Sequence, residues 1–355
     1  MNPIKIGIIG TGSISHSHMK AYQSTPGVEL YALCDLNEQR VQKAGEQYGV
    51  PPERCFTKKE DLLALTELDA VSVCTWNSAH APCAIAALEA GKHVLCEKPM
   101  ALNAQEAEQM QAAAQKAGKL LMIGFVRRFG NDCAILQDYL DTGFFGELYY
   151  AKASYLRRRG NPGGWFGDKS RSGGGPLIDL GVHVIDLVRY LMGNPKAVSV
   201  YGATFQKLGD RRELKGNAAY LSAESSEADL CDVEDLAAAM IRFDNGAVLN
   251  VEASFSLNLK ADTGAIELFG TKAGAKLDPE LELYSELNGY MADVKLAHET
   301  ALSFDGLFEK EIAHFIDCVR QEAACRAPAA DGVEMMRILD AIYESARTGH
   351  EVRPR

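Results

Sequence analysis

Short apolar runs alternate with longer amphipathic ones through the first third of the chain. Ile4 to Ile9, Val28 to Cys34, Ala70 to Thr75, His93 to Cys96 and Leu120 to Gly124 read as buried strands. Glu38 to Tyr48, Ala81 to Ala90 and Ala104 to Ala117 read as helices, the last two stopped by Gly91 and Gly118. Strands and helices in strict turn predict a parallel, doubly wound sheet. Beyond Arg128 the pattern changes. Asp132 to Asp141 reads as a linking helix stopped by Gly143, and then Glu147 to Tyr155, Ala197 to Phe205, Leu236 to Phe243, Ala247 to Phe255 and Ala265 to Phe269 read as strands. Asp244-Asn245-Gly246 between two of them is a hairpin signal, so this sheet is expected to be antiparallel. Its apolar face needs helices on one side and another subunit on the other. Two helices, Gly306 to Gln321 and Gly332 to Thr348, close the chain, and Lys207 to Asp229 reads as a polar surface loop. The predicted fold is α/β. Residues 1–128 form a doubly wound nucleotide-binding domain, and residues 129–355 form an α+β domain for substrate and oligomer contacts, with a large, open, mainly antiparallel sheet.

The first strand runs directly into Gly10-Thr11-Gly12-Ser13-Ile14-Ser15, the pattern G-x-G-x-x-S. The first glycine permits a tight turn, the second lets backbone approach a pyrophosphate, and a small third residue lets helix and strand pack closely. The helix that starts there aims free N–H groups at phosphate. Alone this pattern is weak, but a second strand ends at Asp35, where an acid is expected to bind the ribose hydroxyls and repel a 2′-phosphate. NAD is therefore expected over NADP. Arg40 lies one turn into the next helix, where it could offset that preference or simply face solvent.

Ligands of such sheets bind beyond the carboxyl ends of the strands. Thr75-Trp76-Asn77, Glu97-Lys98-Pro99 and Phe125-Val126-Arg127-Arg128 all stand there. The expected cofactor residues are Gly10, Thr11, Gly12, Ser13, Ile14, Asp35, Thr75, Asn77, His80, Glu97, Lys98 and Arg127. Loop and helix-cap chemistry is the plain alternative for Asn77 and His80. Lys98 falls where the nicotinamide half should lie, and Pro99 fixes the turn behind it, through a bond that can be cis although most X–Pro bonds are trans.

A second constellation follows three glycines. Gly173-Gly174-Gly175-Pro176 opens a helix that is apolar almost all round, yet Asp179, His183 and Asp186 recur at i, i+4 and i+7. Such a stripe either pairs inside the protein or lines a wet cavity. An Asp/His pair could also ligate a metal, but no second cluster supplies further ligands, so none is expected. Upstream, Tyr155-Leu156-Arg157-Arg158-Arg159 and Trp165 offer charge and an aromatic face to a polar ligand. Strand alternation puts Arg157 and Arg159 on one side and Arg158 on the other.

Composition narrows the partners. The 355 residues carry a net charge of −11, which argues against nucleic acid or an acidic membrane surface. No apolar run nears the ~20 residues of a membrane span. The opening MNPIKIGIIGTG lacks the basic and apolar regions of a signal peptide. Nine cysteines without a C-x-x-C fit reduced thiols in the cytoplasm.

Taken in order, G-x-G-x-x-S, Asp35, Glu97-Lys98-Pro99, Arg127-Arg128 and the glycine run with Asp179-x-x-x-His183 resemble the glucose–fructose oxidoreductase / inositol dehydrogenase / rhizopine-catabolism (Gfo/Idh/MocA) family over essentially the whole chain. The resemblance implies a Rossmann domain, an open-sheet domain that forms homodimers or homotetramers, and oxidation of a sugar or cyclitol ring hydroxyl by NAD(P). It makes Lys98, Asp179 and His183 the catalytic set. Lys98, Arg127, Tyr155, Arg157, Trp165, Asp179 and His183 then face the substrate. His183 is the preferred proton acceptor, with Lys98 the alternative. Two other readings stay open: a glycoside-processing enzyme that retains its NAD through transient oxidation, and a non-catalytic dinucleotide-binding regulator.

Overall fold

The computed structural model describes residues 3–211, 213–215, 222 and 229–354. Two compact units emerge, Met1–Val126 with Asp305–Met336, and Arg127–Phe304 with Arg337–Arg355. The expected division at 128/129 places everything after it in one domain, whereas Asp305–Met336 packs with the first unit. Burial is the reason. Helix Leu307–Val319 buries Leu307, Ile312, Phe315 and Ile316 and lies against helix Ser13–Ser24.

The first unit is built on six parallel strands: β1 (Ile4–Ile9), β2 (Val28–Cys34), β3 (Cys55–Phe56), β4 (Ala70–Val73), β5 (His93–Glu97) and β6 (Leu121–Gly124). Their order, β3-β2-β1-β4-β5-β6, reverses direction between β1 and β4, which opens the ligand crevice of doubly wound sheets at the ends of those strands. Helices Glu38–Tyr48 and Ala104–Ala117 stand where the periodicity puts them. Each is capped by an asparagine, Asn37 and Asn103, whose side chain accepts an N–H of the first turn.

The second unit holds eight strands: β7 (Leu148–Leu156), β8 (Ala197–Phe205), β9 (Leu236–Phe243), β10 (Val248–Ser254), β11 (Thr263–Gly270), β12 (Ala273–Leu277), β13 (Glu282–Leu287) and β14 (Tyr290–Val294). They run in the order β14-β13-β12-β11-β7-β10-β9-β8, antiparallel throughout except for β7 beside β10. Alternation sends Leu249, Val251 and Ala253 of β10 into the core. The other face stays uncovered among the described residues. There a cross-strand row runs Tyr201, Met240, Asn250, Lys152, Glu267. Strands β12 to β14 lie outside the sequence expectation. The signal for the β13–β14 hairpin was Asn288-Gly289, a two-residue turn with φ of 52° and 80°, as a type I′ hairpin requires. Of the polar stretch 207–229, residues 212, 216–221 and 223–228 lie outside the described residues.

Candidate active site

In the first unit the glycine turn is shaped for close approach. Gly10 has φ +93°, and a Cβ there would lie 2.6 Å from the Cys74 carbonyl oxygen. Gly12 has open space where its Cβ would stand, and it begins helix Ser13–Ser24 without a side-chain cap, so the first N–H groups of Ser13 and Ile14 are left for a ligand. Asp35 lies just past β2. Its Oδ2 accepts the Thr11 backbone N–H at 2.8 Å and the Thr11 hydroxyl at 3.0 Å, and its Oδ1 accepts from Asn37 N. Arg40 approaches the same carboxylate at 3.8 Å, its own side chain about a third exposed. This cradle, open at Gly12 and floored by an acid, fits a dinucleotide without a 2′-phosphate.

Thr75 and Asn77 follow β4, and Asn77 is buried at the start of a short turn. His80 is spent differently. Its Nδ1 faces the Pro99 carbonyl at 2.7 Å and its Nε2 the Thr75 carbonyl at 3.1 Å, so its ring lies between the two strand-end loops and its one N–H donates to one of those carbonyls. Burial holds its pKa below the ordinary histidine value. The Lys98–Pro99 bond is cis, the less common of the two isomers weighed from sequence. Glu97 meets His18, whose Nε2 lies 2.8 Å from Glu97 Oε1. Glu97 Oε2 accepts the Lys98 backbone N–H at 3.2 Å.

In the second unit the glycine-led helix is not uniformly α. Leu177–Gly181 forms a π turn that passes into α-helix Val182–Leu191, so the wider turn, not the expected 3.6-residue repeat, spaces Asp179 from His183. Of the described residues 177–189, all are buried except Asp179 and His183. Asp186 leaves the stripe: it is buried and takes a bidentate pair from Arg128, at 2.6 and 2.9 Å. Arg127, expected at cofactor and substrate, is ion-paired to Asp132 at 3.1 Å and Asp278 at 3.4 Å.

The substrate-side residues form a connected patch. Tyr155 packs on Leu180, Ala253 and Phe255. Arg157 lies over the Tyr155 ring at 5.1 Å and donates to its hydroxyl. The strand stops at Leu156, so alternation does not extend over the three arginines as expected, yet Arg157 and Arg159 are half-buried and Arg158 is exposed. Trp165 stacks on Phe166 with ring centroids 3.9 Å apart.

Sequence reasoning missed what holds this patch. The segment Asp229-Leu230-Cys231-Asp232-Val233-Glu234-Asp235 gives its carboxylates to backbone N–H groups of four loops. Asp229 takes Gly164, Asp232 takes Lys169, Glu234 takes Gly175 and Leu177, and Asp235 takes Lys207, Leu208 and Gly209. Glu234 also accepts from Tyr343 Oη at 2.9 Å. Burial raises the Glu234 pKa, against those donors. The glycine run is now explained: a Cβ on Gly175 would meet the Glu234 carbonyl, and one on Gly174 the Tyr343 hydroxyl. The density of acids at 229–235 was the available signal.

Among the described residues no cluster of three metal-ligating side chains occurs, and no helix is long and apolar enough to cross a membrane.

The glycine turn, the helix start and Asp35 of the first unit form the cradle of an NAD-binding Rossmann fold. Residues 4–125 match the oxidoreductase family's NAD-binding Rossmann fold, and residues 137–353 match its C-terminal alpha/beta domain. The chain belongs to this Gfo/Idh/MocA oxidoreductase family. It is 34% identical to the D-glucoside 3-dehydrogenase of Escherichia coli, over 99% of this chain and 97% of that protein. It is 30% identical to the levoglucosan dehydrogenase of Pseudarthrobacter phenanthrenivorans, over 77% of this chain and 73% of that protein. Among solved structures, an oxidoreductase domain protein from Kribbella flavida superposes with a TM-score of 0.87 at 27% identity, covering 100% of both chains.

Proposed function

We propose that this chain oxidises a secondary ring hydroxyl of a sugar, glycoside or cyclitol, with Lys98, Asp179 and His183 as its catalytic set. The observation that carries the reading is the burial pattern of residues 177–189, where only Asp179 and His183 are half-buried and every other residue is buried. A carboxylate and an imidazole left half-open on a buried helix suit a polyhydroxylated substrate. The similarity to enzymes named for glucosides and levoglucosan supports the same class.

In the oxidative direction His183 accepts the hydroxyl proton, as the O–H bond breaks and a ring nitrogen gains the proton. Lys98, at the end of β5, donates hydrogen bonds to the same oxygen and stabilises the negative charge growing there. Asp179 accepts hydrogen bonds from neighbouring ring hydroxyls of the substrate. When bound, NAD supplies the acceptor for the hydride leaving the carbinol carbon. Gly10 to Ile14 and Asp35 hold its phosphates and ribose, and Thr75, Asn77 and the Glu97-Lys98 strand end border its nicotinamide side. Tyr155, Arg157 and Trp165 border the sugar, while Arg127, fixed between two carboxylates, braces its own loop. A second copy of the chain covers the open sheet face, whose Tyr201 and Met240 are about half exposed.

The test is NADH formation against glycosides, inositols, aldoses and uronic acids, for wild type beside Lys98→Ala and His183→Ala. Turnover of one group, reduced about 100-fold or more in both variants with NAD binding intact, is the expected result. Tightly held NAD with no net NADH on any substrate would instead favour a retained-cofactor enzyme.

A further inference from the structure

Behind Lys98, wholly inside the first unit, lies a buried chain of polar side chains that the reaction as written does not use. It starts at Tyr22 on helix Ser13–Ser24, whose hydroxyl is 2.7 Å from Ser72 Oγ of β4. Ser72 Oγ is 3.2 Å from His18 Nδ1, one turn back on the same helix. His18 Nε2 meets Glu97 Oε1 at 2.8 Å, and Glu97 Oε2 accepts the Lys98 N–H. Tyr22, Ser72 and His18 are fully buried, and Glu97 nearly so. The Glu97 side chain also lies close over β6: a Cβ on Gly124 would lie 3.4 Å from Glu97 Cδ.

We propose that His18 is a positioning residue for the reaction: by hydrogen-bonding Glu97 Oε1 it holds that carboxylate turned onto the Lys98 backbone, and so fixes the strand end from which Lys98 works. The inference rests on the reading of Lys98 as catalytic.

The charges facing the pair agree. Burial alone would lower the His18 pKa, but the hydrogen bond to Glu97 and the charge of that carboxylate act to raise it. Burial alone would raise the Glu97 pKa, but the hydrogen bond and charge of His18, with Lys98 alongside, hold it below the usual carboxylate range. The other groups around them are neutral near pH 7. Burial raises Tyr22, Cys74 and Cys96 and lowers His80. Glu311 reaches the cluster from helix Leu307–Val319, fully buried, with neither carboxyl oxygen hydrogen-bonded among the described residues. Burial and then the Glu97 charge push its pKa well up, which favours its neutral form. The pair therefore stands as one cation and one anion in an otherwise neutral pocket, where its attraction is little screened.

The experiment compares His18→Gln, His18→Leu and Lys98→Met with wild type, measuring NAD affinity, kcat, KM and the pH profile of kcat on the substrate found by the panel. Lys98→Met must be inactive for the site reading to stand; if it is active, that reading and this inference both fail. With it inactive, His18→Leu is expected to keep NAD affinity within about threefold and to lose about 100-fold in kcat, with KM little changed. His18→Gln, which can still donate to Glu97 but carries no charge, recovers part of that kcat. Without the cation, burial lifts the Glu97 pKa, so the acid limb of its kcat profile moves up by about one pH unit or more. A folded His18→Gln with wild-type kcat and an unmoved acid limb overturns the positioning role and leaves the site reading intact.

Discussion

The two units hold their working side chains in opposite ways. In the first, side chain meets side chain, in a line from Tyr22 through Ser72 and His18 to Glu97. In the second, side chain meets backbone: four carboxylates between 229 and 235 collect N–H groups from separate loops, and Asp179 and His183 ride on one segment so held. A buried network tends to fail as a whole, because losing one member leaves another unpaired in low dielectric. Carboxylate-to-backbone caps are more separable, each worth a kcal/mol or so. The first arrangement suits the single fixed task proposed for Lys98. The second lets the substrate side vary loop by loop.

The sharpest way to break this comparison lies on the second unit's own helix. Arg128→Leu strands the Asp186 charge in the core and is expected to cost about 3–5 kcal/mol in urea unfolding. Asp179→Asn, seven positions earlier, should cost about 1 kcal/mol or less and act on turnover. Equal stability losses would mean that the two aspartates do the same job.

Glu311→Gln tests the buried pocket of the first unit. The folded state holds the Glu311 pKa above its ordinary 4.5, so that carboxyl's contribution is intact below pH 4.5 and is lost as pH rises toward the raised value. Relative to wild type, the variant should therefore gain stability as pH rises above 4.5, by up to about 1.4 kcal/mol per pH unit. Parallel stability curves for the two proteins would show an ionised or solvated Glu311.

Glu234→Ala removes the acceptor of Gly175, Leu177 and Tyr343. A loss of about 1–3 kcal/mol is expected, with a fall in kcat larger than any change in NAD affinity. If NAD affinity fell first, the clamp would not be serving the substrate side. The smallest effect belongs to Arg40→Ala, whose partly exposed pair with Asp35 spans 3.8 Å; melting should register less than about 1 kcal/mol.

Much of the first unit was legible because its signals are local. The glycine turn, Asp35 after β2 and Lys98 after β5 each follow from a few adjacent residues, and helices Glu38–Tyr48 and Ala104–Ala117 from their periodicity. His18 was not legible, since a histidine in the first helix says nothing until Ser72 and Glu97, far along the chain, close on it. The pair Asp179 and His183 was legible as a polar interruption of an apolar helix. The π turn was not, because it depends on Glu234 and Tyr343 meeting the glycine run from distant segments. Asn288-Gly289 shows the reverse case, a local signal passed over because its flanking strands are short and polar.

Asp35 ties these themes to the cofactor. The carboxylate proposed to meet the ribose is also the acceptor for both donors of Thr11, inside the glycine turn. Exchanging it for a neutral residue to admit a 2′-phosphate would at the same time release the loop that grips the pyrophosphate. A switch of cofactor in this lineage is thus a two-site change, with the turn needing a new anchor before the ribose pocket can change its charge.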